Sequence, residues 1–199
     1  IVRAEMNGTG AEEVLLPALS PKQVWEVSGR WTNPGRAVQF QLTDNGNREF
    51  GLGFSHEEVV TPLVAQFVRS YRDVPVSVYQ IQTKYRDEPR AKSGLLRGRE
   101  FRMKDMYSFH LDVDELTRYY EQVAEAYLRV FQRVGLTAVR VKALGGIFSS
   151  EPSDEFSVEA PVGEDTIFRG DQCEFAENKE IATVVAGDQC PTGDGTIRE

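Results

Sequence analysis

The chain has 199 residues, of which 40% are hydrophobic and 27% charged, and its formal net charge is −8 at pH 7. This length is enough for one sizeable core or at most two small domains, and the composition is that of a globular protein rather than a disordered one. The acidic balance excludes a protein that holds nucleic acid by overall basicity, because phosphate neutralisation needs clustered Lys and Arg, although it is compatible with a local basic patch.

The apolar runs and the cysteines indicate a soluble protein of the cytoplasm. No apolar run approaches the roughly 18 residues of a membrane span, and no charged-then-apolar signal segment opens the chain, so we expect no membrane partner. Cys173 and Cys190 are too few for a disulfide framework and have no histidine near them in sequence, which makes free thiols the expectation. Because the chain starts at Ile1 rather than methionine, we also expect a fragment of a longer protein.

The first residues predict a helix followed by a short strand. Residues 1–6 have helical character, and Gly8 and Gly10 end the helix. The apolar run at 14–16 then predicts a short strand that is closed by Pro17.

A short helix and a β-ribbon follow. Ser20 predicts an N-cap, with Pro21 at the first helical position, where its missing N–H has no partner to lose. The helix stops near Gly29. From 37 to 52 the residues alternate around the turn 44–47, whose Asp, Asn and Gly suit the positive φ angles of a tight hairpin.

Two helices with apolar stripes are predicted to cover a sheet. The stripe from 60 to 71 has helical spacing. Because Pro62 inside a helix would lose a hydrogen bond at a cost of roughly 3 kcal/mol, we expect this helix to begin near Thr61. Asp112 predicts the N-cap of a long helix that Gly135 ends.

The stretch 81–110 predicts two antiparallel strands joined by a basic loop that contains Gly and Pro. Its first arm alternates with period two from Tyr79 onwards, so that one face carries polar and charged side chains into a site. Glu88, Glu100 and the ring of Phe101 accompany a basic set that suits the binding of a polyphosphate and a base. The basic set consists of Arg86, Arg90, Lys92, Arg97 and Arg99. A surface hairpin with solvated charges is the alternative.

The last third predicts strands at 137–143 and 155–160, and a Gly- and Asp-rich end from 186 onwards that we expect to be mobile. Hairpins outnumber βαβ units along the chain, and helices interrupt the strand pairs. The predicted fold class is therefore α+β, with an antiparallel sheet flanked by helices.

The hairpin resembles part of a known enzyme family. Tyr85-Arg86-Asp87-Glu88, a variable loop and then Arg97-Gly98-Arg99-Glu100-Phe101 are similar to motif 2 of the class II aminoacyl-tRNA synthetases. Within that class, the run is most similar to the bacterial-type prolyl-tRNA synthetases. The resemblance implies a class II synthetase-like fold.

The start of the chain resembles a second motif of the family. The helix, strand and Pro17 within 1–17 are similar to motif 1, which lies at the family's dimer interface; a bland buried strand is the alternative. The resemblance implies a partial catalytic domain over 1–199, with motif 2 near 81–110. It also implies that 186–199 leads towards a motif 3 that the chain lacks, as it lacks the anticodon-binding domain.

The resemblance implies an ATP site on the hairpin. Arg86 is the predicted catalytic residue, because a planar guanidinium can hold the α-phosphate and the substrate carboxylate together. Glu88 matches a glutamate that accepts a hydrogen bond from the adenine amino group, and Phe101 matches an adenine-stacking ring. Arg97 is expected to reach the outer phosphates. Magnesium is implied as a bridge between phosphates, but spacing assigns no protein ligand to it.

The resemblance also implies a proline site. Ser55-His56-Glu57 is similar to the Thr-His-Glu of the family's proline-binding loop, where the glutamate meets the secondary ammonium of proline. Ser55 keeps the hydroxyl of that loop. Arg86 and Glu155 complete the implied proline site, the latter within a run similar to the family's Ser-His-Glu-Phe. From the residues alone, an acidic cap at the N-terminus of the helix that follows is the favoured role of Glu57.

The chain departs from the family near the implied proline site. Phe54 stands where proline is usual, Asp154 where histidine is usual, and Phe148 and Ser149 where a glycine pair is usual. Two bulky rings in place of small or rigid residues predict a narrowed or reshaped pocket.

The implied activity is the ATP-dependent activation of proline and its transfer to tRNA. The implied partners are proline, ATP, tRNA through the domain that the chain lacks, and a second copy through motif 1. The alternative is a non-catalytic dimerisation or regulatory module that kept the fold and lost the chemistry, which the altered pocket and the missing motif 3 favour.

Overall fold

The computed structural model describes residues 1–145 and 153–199, and the chain divides into two compact units. The first unit runs from Val2 to Val123. The second comprises Ala124–Glu199 together with Ile1.

The first unit contains short helices and strands that precede one long hairpin. Its elements are α1 (Val2–Gly8), β1 (Glu12–Glu13), β2 (Leu19–Pro21), α2 (Lys22–Glu26), α3 (Gly35–Val38), β3 (Gln41–Thr43), β4 (Glu49–Leu52), α4 (Glu57–Phe67), a 3-10 turn (Tyr71–Asp73), β5 (Val76–Tyr85) and β6 (Glu100–Phe109). The long helix α5 (Val113–Arg133) begins in this unit.

The predicted central hairpin is confirmed. β5 and β6 pair antiparallel over ten residues each, from Val76 opposite Phe109 to Tyr85 opposite Glu100, so the first arm starts earlier than expected. β1 pairs with β5 in parallel and completes a three-stranded sheet of order β1-β5-β6. The basic loop at 86–99 therefore projects from the end of two long paired strands.

The prediction of a strand at 14–16 is wrong, because the strand β1 ends just before this run. The N–H of Val14 still donates to the carbonyl of Tyr79 on β5 (2.8 Å), and at Leu16 side chains of β5 take over as partners of the backbone. The N–H of Leu16 donates to Gln80 Oε1 (3.2 Å), and Gln82 Nε2 donates to the carbonyl of Leu16 (2.9 Å). From Leu16 on, the chain is thus held beside the sheet by side chains instead of by backbone pairing.

The second small sheet, of order β2-β4-β3, confirms the predicted β-ribbon and its turn at 44–47, where Asn47 has a φ of 60°. The first residues of the predicted ribbon belong instead to α3. Ser20 does not cap α2, since it is buried in β2 opposite Gly51, and Pro21 is the N-cap residue. Strand pairing has overridden the local preference of Ser20 for a cap.

Helix α4 contains Pro62, so the predicted start near Thr61 is wrong. Two buried side chains anchor the additional first turn. His56 has no exposed surface, and the Glu58 carboxylate accepts a hydrogen bond from Arg30 at 2.8 Å. We infer that these tertiary contacts offset the roughly 3 kcal/mol that proline costs inside a helix.

The predicted cap of the long helix is confirmed. Asp112 Oδ1 accepts a hydrogen bond from the backbone N–H of Glu115 at 2.8 Å, and Gly135, with a φ of 82°, follows the end of α5. Within 1–145 and 153–199, no helix is both long and apolar enough to cross a membrane.

The second unit contains a five-stranded sheet of order β11-β9-β10-β7-β8. All neighbouring pairs are antiparallel except β10 and β7. β7 confirms the strand predicted at 137–143, whereas the strand predicted at 155–160 begins earlier, because β8 follows the register of β7. The strands are β7 (Val139–Ala143), β8 (Ser153–Ser157), β9 (Ile167–Gly170), β10 (Ala176–Asn178) and β11 (Ile197–Arg198).

The end of the chain is part of this second unit. Residues 186–199, expected to form a mobile tail, contribute β11, and Cys190 and Ile197 are buried in an apolar cluster with Phe168. Cys190 forms a disulfide with Cys173, so the expectation of free thiols is wrong. The count of cysteines could not reveal this pair, because the fold of the intervening residues brings the two side chains together.

We expect Asp112→Ala to lower the free energy of unfolding by about 1 kcal/mol, because the N–H of Glu115 loses its acceptor at the start of α5. Asp112→Asn is the matched control, since asparagine caps a helix about as well as aspartate. Urea denaturation followed by circular dichroism measures both variants. Equal stabilities of the alanine and asparagine variants would contradict the capping role.

Candidate active site

The register of β5 and β6 determines which side chains share a face of the hairpin. Residues directly opposite each other project to the same face, and neighbours along a strand project to opposite faces. Gln80 therefore shares a face with Asp105, and Lys84 shares it with Phe101. Gln80 and Lys84 have no exposed surface, so the polar face predicted from the sequence is buried here.

Lys84 lies at the centre of a buried polar network. Its Nζ donates to His56 Nδ1 at 2.7 Å and lies 2.8 Å from Asp105 Oδ1. Asp105 Oδ2 accepts hydrogen bonds from the hydroxyl of Tyr107 (2.7 Å) and from Gln80 Nε2 (2.9 Å). The ammonium and the carboxylate are thus removed from water as a hydrogen-bonded pair, as a buried ion pair requires.

Three neighbours hold His56, two of them through its imidazole and one through its backbone. Its Nε2 lies 3.1 Å from the carbonyl oxygen of Pro17, and its backbone N–H donates to the Tyr107 hydroxyl at 3.1 Å. Because a carbonyl oxygen only accepts, Nε2 carries the proton and Nδ1 accepts from Lys84, which assigns the tautomer. Gly53 allows the ring to sit here, since a Cβ at this position would lie 2.8 Å from the imidazole.

Burial determines the protonation of this network. Burial lowers the pKa of His56, and the charge of Lys84 lowers it further, so the imidazole is neutral at pH 7. Burial also lowers the pKa of Lys84, against the opposing effect of Asp105. The pKa of Tyr107 is raised by burial and by the carboxylates of Glu57 and Asp105, which keeps its hydroxyl protonated.

Arg86 follows β5 at the open end of the same face. Its guanidinium donates through Nε and Nη2 to the carbonyl oxygen of Phe54, both at 3.4 Å, and its Cζ lies 5.4 Å from the centroid of the Phe101 ring. Burial lowers the pKa of Arg86, while the carboxylates of Glu57 and Glu88 act in the opposite direction. The structure therefore brings Arg86, Phe101 and Glu57 into one neighbourhood.

Glu88 and Arg97 form an ion pair across the hairpin loop, with 3.2 Å between Oε2 and Nε. Glu88 Oε1 also accepts the backbone N–H of Arg90 at 3.0 Å. This hydrogen bond, followed by the Arg97 side chain, lowers the pKa of the Glu88 carboxyl. Glu88 and Arg97, the two residues predicted to contact the nucleotide, thus lie close together and are paired with each other.

Ser55 and Glu57 flank His56 at the start of α4. Ser55 is buried, and its side chain is close enough to Tyr107 to lower the pKa of the tyrosine hydroxyl against the larger effect of burial. The Glu57 carboxylate lies 3.5 Å from Arg30 Nη1, and 39% of the Glu57 side chain is exposed. Glu57 and Glu58 also form the acidic first turn of α4, so the alternative role predicted for Glu57 at a helix N-terminus is compatible with its position.

The ring of Phe54 belongs to a core and not to a pocket. It is 1% exposed and stacks on Trp25, with ring centroids 5.2 Å apart. Only its backbone carbonyl faces Arg86. The prediction that Phe54 narrows a pocket is therefore wrong, because its ring packs on Trp25 in the core. Phe148 and Ser149 lie outside the described residues.

Glu155, the remaining predicted proline contact, lies on β8 in the second unit. Partial burial and the neighbouring carboxylates of Asp165 and Glu180 raise its pKa. The side chain of Asp154, which stands where the family has histidine, is almost fully buried and forms ion pairs with two basic side chains of β7.

No group of three or more His, Cys, Asp or Glu side chains in the described ranges is placed to hold a metal ion. Magnesium often binds through only one or two carboxylates, together with phosphates and water, so no protein ligand is assigned to the magnesium that the resemblance implies.

Sequence reasoning missed Asp105 and Tyr107 as parts of the site. They occupy alternate positions on β6, where Asp105 lies opposite Gln80 and Tyr107 lies opposite Val78. The apolar residues at the other alternate positions, Phe101, Met103 and Phe109, were the available evidence that this face of β6 is packed against other residues.

Comparison with known proteins places the chain in a family. Residues 40–189 match the tRNA synthetase class II core domain (G, H, P, S and T). The chain therefore belongs to the family of class II tRNA synthetase core domains, as the resemblance of its hairpin predicted.

The curated relatives are proline–tRNA ligases. The ligase of Synechococcus sp. strain CC9311 is 50% identical over 200 residues, which cover 100% of this chain and 33% of the relative. The ligase of Halalkalibacterium halodurans is 47% identical over 184 residues, which cover 92% of this chain and 32% of the relative. The chain thus spans about one third of the length of these relatives.

Solved structures share the fold. Giardia lamblia prolyl-tRNA synthetase in complex with prolyl-adenylate matches 72% of this chain and 30% of its own, with a TM-score of 0.67 at 17% identity. The Cryptosporidium parvum enzyme, complexed with halofuginone and AMPPNP, gives a TM-score of 0.63 at 16% identity. The predicted class II-like α+β fold is confirmed.

We expect the stability of the protein to depend on His56 below about pH 7. The neutral ring, which faces Lys84, Asp105 and Glu58, contributes stability that is present above its ordinary pKa of 6.5 and is lost as the pH falls from there through its lowered pKa. The free energy of unfolding changes by at most about 1.4 kcal/mol per pH unit when one proton is taken up on unfolding, and this change with pH is the slope to be measured.

His56→Gln should flatten this slope relative to the unaltered protein, which is measured in parallel. Urea denaturation at a series of pH values measures the free energy of unfolding. An unchanged slope in the His56→Gln variant would show that this ring does not take up the proton on unfolding.

Proposed function

We propose that the chain is part of a cytoplasmic ligase that activates proline with ATP and transfers it to tRNA. The position of Arg86 carries this proposal. Its half-buried guanidinium lies against the Phe101 ring, with the Glu57 carboxylate close enough to affect its pKa. The identity to proline–tRNA ligases, and the prolyl-adenylate bound by the Giardia lamblia relative, support the proposal.

Activation is a substitution at phosphorus. A carboxylate oxygen of proline attacks the α-phosphorus of ATP, the bond to the leaving pyrophosphate breaks, and prolyl-adenylate forms. Negative charge builds on the phosphate oxygens, so positioning and cationic stabilisation lower the barrier. Arg86 can donate to the α-phosphate and to the proline carboxylate together, because its guanidinium is planar and stays charged. The Phe54 carbonyl orients this guanidinium before substrates bind.

The nucleotide occupies the hairpin in this proposal. Phe101 stacks on the adenine, Glu88 accepts from its amino group, and Arg97 contacts the outer phosphates. Since Glu88 and Arg97 form an ion pair with each other, ATP would replace that pair with contacts to both residues. A bound magnesium ion would neutralise part of the negative charge of the phosphates, in addition to the contacts of these side chains.

The amino acid meets the loop before α4. The Glu57 carboxylate is placed to pair with the secondary ammonium of proline, and Ser55 lies two residues before it beside Tyr107. A carboxylate at a half-exposed position can bind such a cation without first losing all of its water. The assignment of Glu155, on the second unit, stays a prediction.

Transfer to tRNA and assembly belong to the whole protein. Because the chain spans about one third of its curated relatives, we propose that a longer protein containing it supplies the tRNA contacts. We also propose that the segment 1–17 joins two copies into a homodimer.

One observation favours the alternative, a non-catalytic dimerisation or regulatory module. Asp154 is engaged in ion pairs with Arg140 and Lys142, whereas the family has a histidine at this position. A carboxylate held in this way cannot take the part of a neutral imidazole. The presence or absence of proline-dependent adenylate formation separates the two functions.

We expect Arg86→Ala to reduce proline-dependent ATP–pyrophosphate exchange in the full-length protein. The loss should correspond to roughly 2–4 kcal/mol of transition-state stabilisation, because Arg86 pairs with charge that develops during the reaction. Arg102→Ala is the matched control: Arg102 lies opposite Thr83, on the other face of the same hairpin. Unchanged exchange in the Arg86→Ala variant would refute the assigned role, and absent exchange in the unaltered protein would favour the regulatory module.

A further inference from the structure

We propose that Lys84 is a positioning residue for the amino acid site. It acts through His56, which it orients, and so determines where Ser55 and Glu57 stand. The inference rests on the proposed function for its effect on proline, but its geometric part is independent of that function.

Lys84 holds the imidazole from one side and the Pro17 carbonyl holds it from the other. With Nδ1 accepting from Lys84 at 2.7 Å, Nε2 has to carry the proton that it donates to Pro17 at 3.1 Å. Without the lysine, the imidazole could adopt the other tautomer or become protonated. Either change would alter the hydrogen bonds that fix the present orientation of the ring. Lys84 therefore selects one orientation of the ring.

The orientation of His56 is transmitted to its neighbours in the chain. The ring packs so closely on Gly53 that a Cβ there would lie 2.8 Å from it, and the backbone N–H of His56 donates to Tyr107 at 3.1 Å. Ser55 and Glu57 are bonded to this fixed residue on either side. A rotation of the ring would consequently move the two groups proposed to bind proline.

The charge of Lys84 also acts on both ends of the proposed proline site. Glu57 raises the pKa of Lys84 and Arg86 lowers it, so both are within electrostatic range of the ammonium. Asp105 partners the ammonium directly at 2.8 Å. A buried ion pair is a poor source of stability, because desolvation opposes it. Its placement here is therefore better accounted for by positioning than by stability.

The test removes the pair as a unit. In Lys84→Met/Asp105→Asn no unpaired charge stays buried, whereas Lys84→Met alone would leave the Asp105 carboxylate without its cation. Lys104→Met is the matched control, since Lys104 is a second largely buried lysine of the hairpin and lies opposite Ile81, on the other face.

The first readout is proline-dependent ATP–pyrophosphate exchange by the full-length protein, with proline and ATP varied in turn. We expect the KM for proline to rise by roughly tenfold or more in the double variant, and the KM for ATP to change by less than about threefold. The Lys104→Met variant should keep both values. An unchanged KM for proline in a folded double variant would overturn the proposal.

The second readout is amide hydrogen exchange of residues 53–57, which needs no catalytic activity. The N–H of His56 should exchange roughly tenfold faster in the double variant than in Lys104→Met. The reason is that the hydrogen bond from this N–H to Tyr107 weakens when the ring is no longer held. If the unaltered protein shows no proline-dependent ATP–pyrophosphate exchange, the proposed function fails. Amide hydrogen exchange at residues 53–57 still tests the positioning role in that case.

Should the double variant not fold, His56→Gln replaces it in both measurements. The glutamine side chain cannot bridge Lys84 and Pro17 as the imidazole does. Unchanged amide exchange at residues 53–57 in that variant would overturn the proposal, and faster exchange with a raised KM for proline would support it.

Discussion

One lysine ammonium with no exposed surface organises the first unit of the chain. Such a charge is tolerated in a protein interior only when it is paired and hydrogen-bonded, and Lys84 finds a carboxylate in Asp105 and a neutral acceptor in His56. The imidazole can accept only if its other nitrogen donates, which ties the segment before α4 to the Pro17 carbonyl. The hairpin, the start of the chain and the first turn of α4 are thus joined through one interaction.

This arrangement supports both halves of the proposed site. The proposed nucleotide side lies at the open end of the hairpin, where Arg86 and Phe101 are in contact. The proposed amino acid side lies on the loop that carries Ser55 and Glu57, and Arg86 donates to the carbonyl of Phe54 in that loop. Because Lys84 of β5 also holds His56, the same strand supports both halves. The ring of Phe54, which departs from the family, is accommodated in the core by Trp25, which leaves its carbonyl free to orient Arg86.

Features that depend on local chemistry could be predicted from the sequence. The period-two alternation predicted the hairpin, and Asp112 predicted the start of α5, because a strand face and a helix cap depend on residues close in sequence. The motif 2 resemblance predicted the family, and Arg86 and Phe101, two of its assigned ATP residues, do lie together.

Features that depend on distant contacts could not be predicted. Pro62 lies inside α4 because buried contacts of His56 and Glu58 anchor the preceding turn. The run 14–16 leaves the sheet after Val14 because glutamine side chains of β5 bind the backbone groups of Leu16. Cys173 and Cys190 were expected to be free because sequence distance does not show which loops meet. In each case a tertiary contact outweighs a local preference.

The orientation of the His56 imidazole tests the central claim most directly. The chain has two histidines, so nitrogen NMR of the imidazoles can assign each ring in the intact protein. A neutral His56 with its proton on Nε2 at pH 7, titrating below the ordinary value, is the predicted result. A charged ring at pH 7, or a neutral ring protonated on Nδ1, would contradict the network around Lys84.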